Sequence, residues 1–257
     1  MADASLVDWL ANGAHEVLGT EVTLRAILAG ATGWRVETAF ADGNLTGVSV
    51  WAPGRQWYLQ ADDETAVISL ARSVGGAGKD WPAKVTTSAA VKMSLRPWLV
   101  ALRGSGSIAR EHDLLAMVCR TRTARGDGRW ATPADREALE RYQLAYEAER
   151  GTSLTADWNM LLSRPSVAVL EDDGRVVAAV RRTADTTNYA TIANIWTDPA
   201  CRRQGFAVRL MAFLVDAILA DRPAVHILVD EDNRAAIALY RSLGFKEVGR
   251  AYIAYLA

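Results

Sequence analysis

The chain is short of cysteine and histidine, carries almost no net charge, and has no apolar run of transmembrane length. Cys119 and Cys201 are its two cysteines among 257 residues, too few for a disulfide framework. His15, His112 and His226 complete the histidines, and none stands at metal-ligand spacing from a cysteine or an acid, so no metal site is expected. Lys+Arg 29 against Asp+Glu 30 leaves a net charge of -1, without the basic excess of a general nucleic-acid binder. The strongest apolar stretch, Leu210 to Ala220, is interrupted by Asp216 and is far short of the roughly 20 residues that span a bilayer. The first residues, Met1 to Asp8, place acids where a signal peptide carries basic residues. A cytoplasmic protein with neither membrane nor nucleic-acid partner is the expectation. What the chain does contain, 50% hydrophobic and 23% charged residues, is the composition of a globular protein of one large or two small domains.

Local patterns divide the chain near residue 126. Between Ser107 and Trp130 a strand-like run, Leu114 to Val118, gives way to Gly, Ser, Thr and Arg without periodicity, as in a solvated connector. Arg120, Arg122, Arg125 and Arg129 could grip a phosphate or simply face solvent. Beyond it, Thr132 and Pro133 form a helix start as N-cap and N1, and the helix runs to about Arg150, before Gly151. A shorter helix around 156–162 precedes two strands, 166–170 and 176–180, joined by Glu171-Asp172-Asp173-Gly174, a hairpin signature. A strand at 190–196, a helix at 205–220, a strand at 224–229, a helix at 233–243 and a final strand region at 245–256 follow. The first half repeats this order faintly. Strands at 34–40, 45–51 and 56–60 lead into a helix at 62–72 that ends at Gly75-Gly76. The repeat lacks a glycine-containing loop before its helix: Asp62-Asp63-Glu64 stands there, which suits the helix dipole but repels a pyrophosphate.

The most informative segment, Trp196-Thr197-Asp198-Pro199-Ala200-Cys201-Arg202-Arg203-Gln204-Gly205-Phe206-Ala207, runs off a strand into a helix. Small residues there allow backbone to approach a ligand, and helix-start N–H groups attract an anion such as a diphosphate. Together with Asn233, Ala236, Leu239, Tyr240, Gly244 and Phe245, which fall on the pattern Asn-x-x-Ala-x-x-Leu-Tyr-x-x-x-Gly-Phe, this loop resembles the GNAT superfamily of acyl-CoA-dependent N-acyltransferases. Arg202, Gly205 and Ala207 fall on that superfamily's (Gln/Arg)-x-x-Gly-x-(Gly/Ala) loop. The resemblance covers about 129–257. It implies an α/β fold of tandem mixed sheets flanked by helices: a degenerate domain over 1–125 that forms structure or acceptor cleft, and a catalytic domain over 126–257.

The resemblance implies acetyl-CoA as co-substrate. Ile195, Trp196 and Thr197 would offer backbone hydrogen bonds to the pantetheine arm, as an added strand does. Arg202, Arg203, Gln204, Gly205, Phe206 and Ala207 would wrap the pyrophosphate. Asn233 would hold the arm or a water, and Tyr240 would protonate the leaving thiolate, since a phenol of reference pKa about 10 keeps its proton at neutral pH. An alkyl amine of pKa about 10.4 must lose a proton to react, a deficit of roughly 4.6 kcal/mol at pH 7. Related N-terminal-alanine acetyltransferases carry a glutamate on the strand before the Asn motif, where this chain has Leu228. Glu231 is the candidate base, with Asp230, Glu147, Glu149, His226 and a water relay as alternatives. The expected acceptor is a small-molecule amine attacking the thioester directly. A protein or peptide amine and a non-catalytic acyl-CoA sensor stay open. A Cys201 nucleophile has no histidine near it in sequence. Nine tryptophans should be mostly core, some lining a cleft. A tandem chain supplies internally the contact that single-domain relatives make as dimers, so a monomer is expected.

Overall fold

The computed structural model describes residues 35–257 apart from 53–54, 76–80, 123–125, 152–153, 155 and 186–187. The sequence readings at His15, Trp34, Gly76, Arg125 and the N-terminal segment before residue 35 lie outside the described residues. The chain forms two compact units, and they are not two consecutive pieces. The first holds the residues through Met117 together with 228–233 and 247–257; the second holds 118–227 and 234–246. A single boundary near residue 126 therefore does not describe this division: the chain passes between the units repeatedly, and its C-terminal strand belongs with the first.

The first unit begins with the strands β1 (Arg35–Ala41), β2 (Asn44–Ala52) and β3 (Gln56–Ala61). β1 and β2 pair antiparallel around the two-residue loop Asp42-Gly43, both residues at positive φ, as a tight hairpin demands. Helix α1 (Glu64–Gly75) follows, then β4 (Lys84–Ser88), α2 (Ala89–Arg103) and β5 (Ile108–Cys119). The sequence reading lacked β4 and α2. The signal was there: Ser88 Oγ accepts the Val91 N–H at 3.2 Å as an N-cap, and Val91, Leu95 and Leu99 form one buried stripe. Pro97 inside the helix obscures the pattern. With the last strand, β11 (Lys246–Leu256), the sheet order in this unit is β1-β2-β3-β4-β11-β5. Alternation on β11 sends Tyr252, Ala254 and Leu256 into a core with Trp57, Leu59, Val67, Leu70, Leu95 and Leu99. Trp57 is fully buried and donates to Ser49 Oγ at 2.8 Å, so this tryptophan is structural.

In the second unit β6 (Arg129–Trp130) leads through the turn Pro133–Asp135 into α3 (Arg136–Arg150). Thr132 and Asp135 form a capping box there, and Gly151 ends the helix in the left-handed region. Next come α4 (Trp158–Leu162) and the hairpin of β7 (Val167–Asp172) and β8 (Arg175–Asp185), closed by Asp173-Gly174. β9 (Ala190–Thr197), α5 (Phe206–Leu219), β10 (Val225–Asp230) and α6 (Arg234–Ser242) complete it. The order is β10-β9-β8-β7-β6. On one face Val167, Val169 and Ala179 pack under α3 and α4 with Leu139, Tyr142, Trp158 and Leu161. The intervening residues Ala168, Ala178 and Val180 are equally buried, on the face where α5 packs against β7, β8 and β9.

The expected connector is not loose at its end. A Cβ on Gly126 would stand 2.0 Å from the Phe213 backbone nitrogen and 2.4 Å from Arg209 O, so only glycine lets this strap lie on the α5 backbone. Asp127 N–H donates to Arg209 O at 3.2 Å. Two of the connector arginines are held in ion pairs: Arg122 with Asp216 at 3.2 Å, and Arg129 with Asp135 at 2.7 Å and with Glu171. No helix among the described residues is long and apolar enough to cross a membrane.

Candidate active site

The site begins with a defect in a strand. Along β8 and β9, Ala179 faces Trp196 and Arg181 faces Ala193, so Val180 stands opposite two residues, Asn194 and Ile195. That is a β-bulge, and Asn194 takes φ 56 to make it. A bulge bends its strand and leaves a backbone group out of the ladder. On its other edge, among the described residues, β9 pairs with β10 only at Ala190↔Val225 and Thr191↔His226. From Ile192 onward β9 carries an edge that a substrate strand could fill, and Ile195 and Trp196 lie on that stretch. Tyr142 on α3 donates its hydroxyl to Asn194 O, which pins the bulge.

Past β9 the chain turns through Pro199–Cys201, where Asp198 accepts the Ala200 N–H at 2.9 Å, and reaches Gly205 at φ 82. Gly205 precedes α5 as N-cap with no side-chain cap hydrogen bond, and the first turn contains no acid. A Cβ there would meet nothing within 4 Å: the glycine serves the backbone angle, and the space before the helix is open. Uncapped N–H groups at the positive end of a 14-residue helix suit an anion. Arg203 is exposed in this loop at φ 65. Arg202 differs from the sequence expectation: its Nε donates to Thr197 O at 3.1 Å and its guanidinium pairs with Glu149. Its side chain braces the loop, and the Thr197 carbonyl it uses is already engaged. Gln204 Nε2 lies 3.4 Å from Ala200 O. Phe206 is buried under the helix start, with the Arg209 guanidinium 5.5 Å from its ring.

Tyr240 on α6 is buried in the second unit, its ring 5.8 Å from Phe245, and its carbonyl accepts the Phe245 and Leu243 N–H groups at 3.0 Å. The motif's Gly-Phe end thus folds back on its tyrosine. Asn233 and Glu231 belong to the first unit. Asn233 N–H donates to Asp230 O at 3.0 Å, and Glu231 N–H to Asp113 O at 3.0 Å. The Glu231 carboxylate takes a charge-assisted bond from Arg250 at 3.0 Å. Leu228 packs with Leu114, Ala251 and Ile253, in apolar surroundings.

The other base candidates are engaged in structure. Glu147 accepts from Gln143 Nε2 at 3.0 Å and Leu154 N–H at 2.7 Å, and these hydrogen bonds lower its pKa. Glu149 pairs with Arg202. Asp230 lies 3.1 Å from His112 Nδ1. His226 is buried, 5.5 Å from the Tyr189 ring centroid, with Nδ1 3.4 Å from Thr191 Oγ1. Cys201 is also buried, its sulfur 3.4 Å from Arg175.

Two residues of this region, Tyr142 and Arg181, escaped the motif reading. Tyr142, whose pKa is raised by burial, lies against Trp196 with ring centroids 5.6 Å apart. Among the described residues the Trp196 indole N–H is buried without a hydrogen-bond partner, and so is Nε of Arg181. The sequence signal for Arg181 was a charge inside an otherwise apolar strand, Val176 to Val180 followed by Arg181-Arg182.

Residues 131–245 match the Acetyltransferase (GNAT) family. The chain is 40% identical over 79 residues to the [Ribosomal protein bS18]-alanine N-acetyltransferase of Escherichia coli K12, covering 30% of this chain and 53% of that one. It spans no more than about half the length of the curated relatives it matches. A Drosophila protein of known structure superposes with TM-score 0.70 at 11% identity over 98% of this chain and 96% of its own. A tandem GNAT protein from the clavulanic acid biosynthesis pathway superposes with TM-score 0.50 at 13% identity over 100% and 95%; at these identities both show the fold alone. With the bulged strand, the uncapped helix and the Asn–Tyr–Gly-Phe helix all within or beside the matched span, residues 131–245 form a GNAT acetyltransferase family domain.

Proposed function

We propose that the protein transfers an acetyl group from acetyl-CoA to the amine of a small molecule. The observation that carries this is the parting of β9 from β10 after two pairs, at a bulge whose strand leads into an uncapped, acid-free helix start. The free edge around Ile195 and Trp196 accepts the pantetheine amides as an extra strand. The backbone N–H groups of Gln204 to Ala207, with Arg203, take the diphosphate. Asn233 orients the arm or a bound water.

In the reaction the amine nitrogen bonds to the thioester carbonyl carbon and the carbon–sulfur bond breaks. The departing thiolate takes the Tyr240 hydroxyl proton. The amine's proton leaves to Glu231, directly or through water, and Tyr240 regains its own from solvent. A positioned acid or base contributes about 10²- to 10⁴-fold. The acceptor differs from the peptide amine of the E. coli relative because Leu228 supplies no carboxylate on β10 and sits in an apolar cluster.

Isothermal titration of acetyl-CoA, followed by thiol release with an amine panel, tests this. One site per chain, kept in Tyr240→Phe while kcat falls about 100-fold, is the expected result. A limb of kcat/KM at about pH 6 to 7, on which the rate rises with pH, that disappears in Glu231→Gln identifies the base. No acetyl-CoA binding, or binding without thiol release to any amine or peptide, would overturn the activity.

A further inference from the structure

Arg181 is out of place as a structural residue. It faces Val167 on β7 and Ala193 on β9, and directly paired residues share a sheet face. It therefore belongs to the face where Val167, Val169 and Ala179 pack under α3 and α4, close enough to Tyr142 to feel its charge state. Its neighbour Arg182, on the opposite face, pairs with Asp185 and Asp221, although its own Nε is likewise buried without a partner among the described residues. Arg181 is half-buried; among the described residues it pairs with no carboxylate, its Nε is sealed from solvent without a partner, and partial burial lowers its pKa. An arginine keeps its charge at neutral pH, and a desolvated charge without a counter-ion costs stability. Arg181 follows Val180, the residue opposite the Asn194–Ile195 bulge.

A second orphan donor stands on the same face. Trp196 pairs with Ala179, packs in the same cluster, and its buried indole N–H has no partner. Tyr142 links the two. It touches the Trp196 ring and donates to the bulge carbonyl of Asn194. One guanidinium and one neutral N–H beside an apolar, aromatic wall match a single planar negative charge. A phosphate dianion asks for more cations than this face holds.

Resting on the acetyltransferase reading above, we infer that Arg181, with the Trp196 indole N–H, binds a carboxylate of the acceptor. The substrate is then an amino acid or amino-acid-like amine, oriented by its carboxylate so that its nitrogen meets the thioester at the bulge. The guanidinium engages the carboxylate through its two terminal nitrogens. Arg181 is a substrate-binding residue and moves no proton.

The test uses the full chain with acetyl-CoA and a panel of matched pairs: α-, β-, γ- and ω-amino acids, each beside its primary amide. Wild-type protein should acetylate at least one acid with a kcat/KM about 10- to 100-fold above its amide. In Arg181→Met that preference should vanish by loss of the acid's rate, with the amide's unchanged. With CoA present, the favoured acid should raise Tm of wild type and leave Arg181→Met unmoved. Without ligand, Arg181→Met should melt no lower than wild type, since it removes a half-buried unpaired charge; a lower Tm marks Arg181 as structural and overturns the assignment. So does a wild-type panel in which acids and amides are indistinguishable in both turnover and Tm. Acetyl-CoA titrated into the same samples keeps the two claims apart, because intact binding in a chain blind to carboxylates sinks this inference alone, whereas absent binding sinks the acetyltransferase reading.

Discussion

The two units make the same strand–helix–strand passage and end it differently. In the first, β3 and β4 stay paired through Gln56↔Lys84, Trp57↔Val85, Tyr58↔Thr86 and Leu59↔Thr87, and Thr87 Oγ1 donates to Leu59 O at 2.6 Å. The β2–β3 register runs without a shift. In the second, β9 bulges and the parallel ladder stops after two pairs. The helices that follow differ in the same sense. Asp63 Oδ1 accepts the Ala66 N–H at 2.8 Å, and Glu64 stands in the first turn of α1, so α1 satisfies its own positive end. α5 leaves its end open. A strand pair that closes and a helix that caps itself have nothing left to offer a ligand; the second unit withholds both, which is why the acetyl-CoA site is proposed there.

Substitutions can break this contrast. The largest effect is expected where backbone meets backbone. Gly126→Ala forces a Cβ into the Phe213 nitrogen and should cost the second unit about 4 kcal/mol or more, read by urea unfolding. Its counterpart Gly47→Ala in the first unit meets the Leu70 side-chain tip at 2.9 Å, which can move, so about 1–2 kcal/mol is expected. Gly205→Asp copies the acidic junction of the first unit into the second. Like charges about 4 Å apart at an effective dielectric of about 20 repel by about 4 kcal/mol, so acetyl-CoA affinity should fall about 100-fold or more by titration calorimetry. Unchanged affinity would place the diphosphate elsewhere. The converse, Asp63→Ala, removes a cap worth about 1 kcal/mol and should lower Tm while acetyl-CoA affinity stays constant.

The smallest effect is on acid stability. Arg129 holds the Asp135 carboxyl down to about 2 by hydrogen bonding, and Arg96, then Tyr252, hold Glu111 at about 2. Because the folded values lie below the ordinary ones, the stabilisation is complete above the usual carboxylate range and is lost as pH falls from about 4.5 toward 2. Arg129→Met should flatten the second unit's share of this decline and Arg96→Met the first unit's, measured as denaturant midpoint against pH. Equal slopes in wild type and both variants would show that these pairs do not act in acid unfolding.

Much of the second unit was legible because its signals are local. The Thr132–Asp135 capping box, the Asp173-Gly174 hairpin and the Gly205 turn each act within a few residues, so the chain displays them in order. In the first unit β4 and α2 were not read, since Pro97 interrupts the helix pattern and β4 offers only five residues. The Arg202 motif position was legible but its side chain was not: Glu149, on α3, claims it. Arg181 could be noticed as a charge in an apolar strand, yet its isolation could not, because a missing partner is a property of everything folded around it.

The sequence by itself determined where α1 and the helices of the second unit lie, which residues of their strands alternate toward a core, and which motif residues stand in the loop before α5 and on α6. Only the tertiary structure decided that β11 joins the first unit, and, among the described residues, that β9 leaves β10 after two pairs and that the half-buried Arg181 stands near Tyr142 without an acid. The physical reason is range. Capping and periodicity are set by neighbours within a turn or two, whereas strand partnership and desolvation depend on residues far along the chain, and those meet only when it folds.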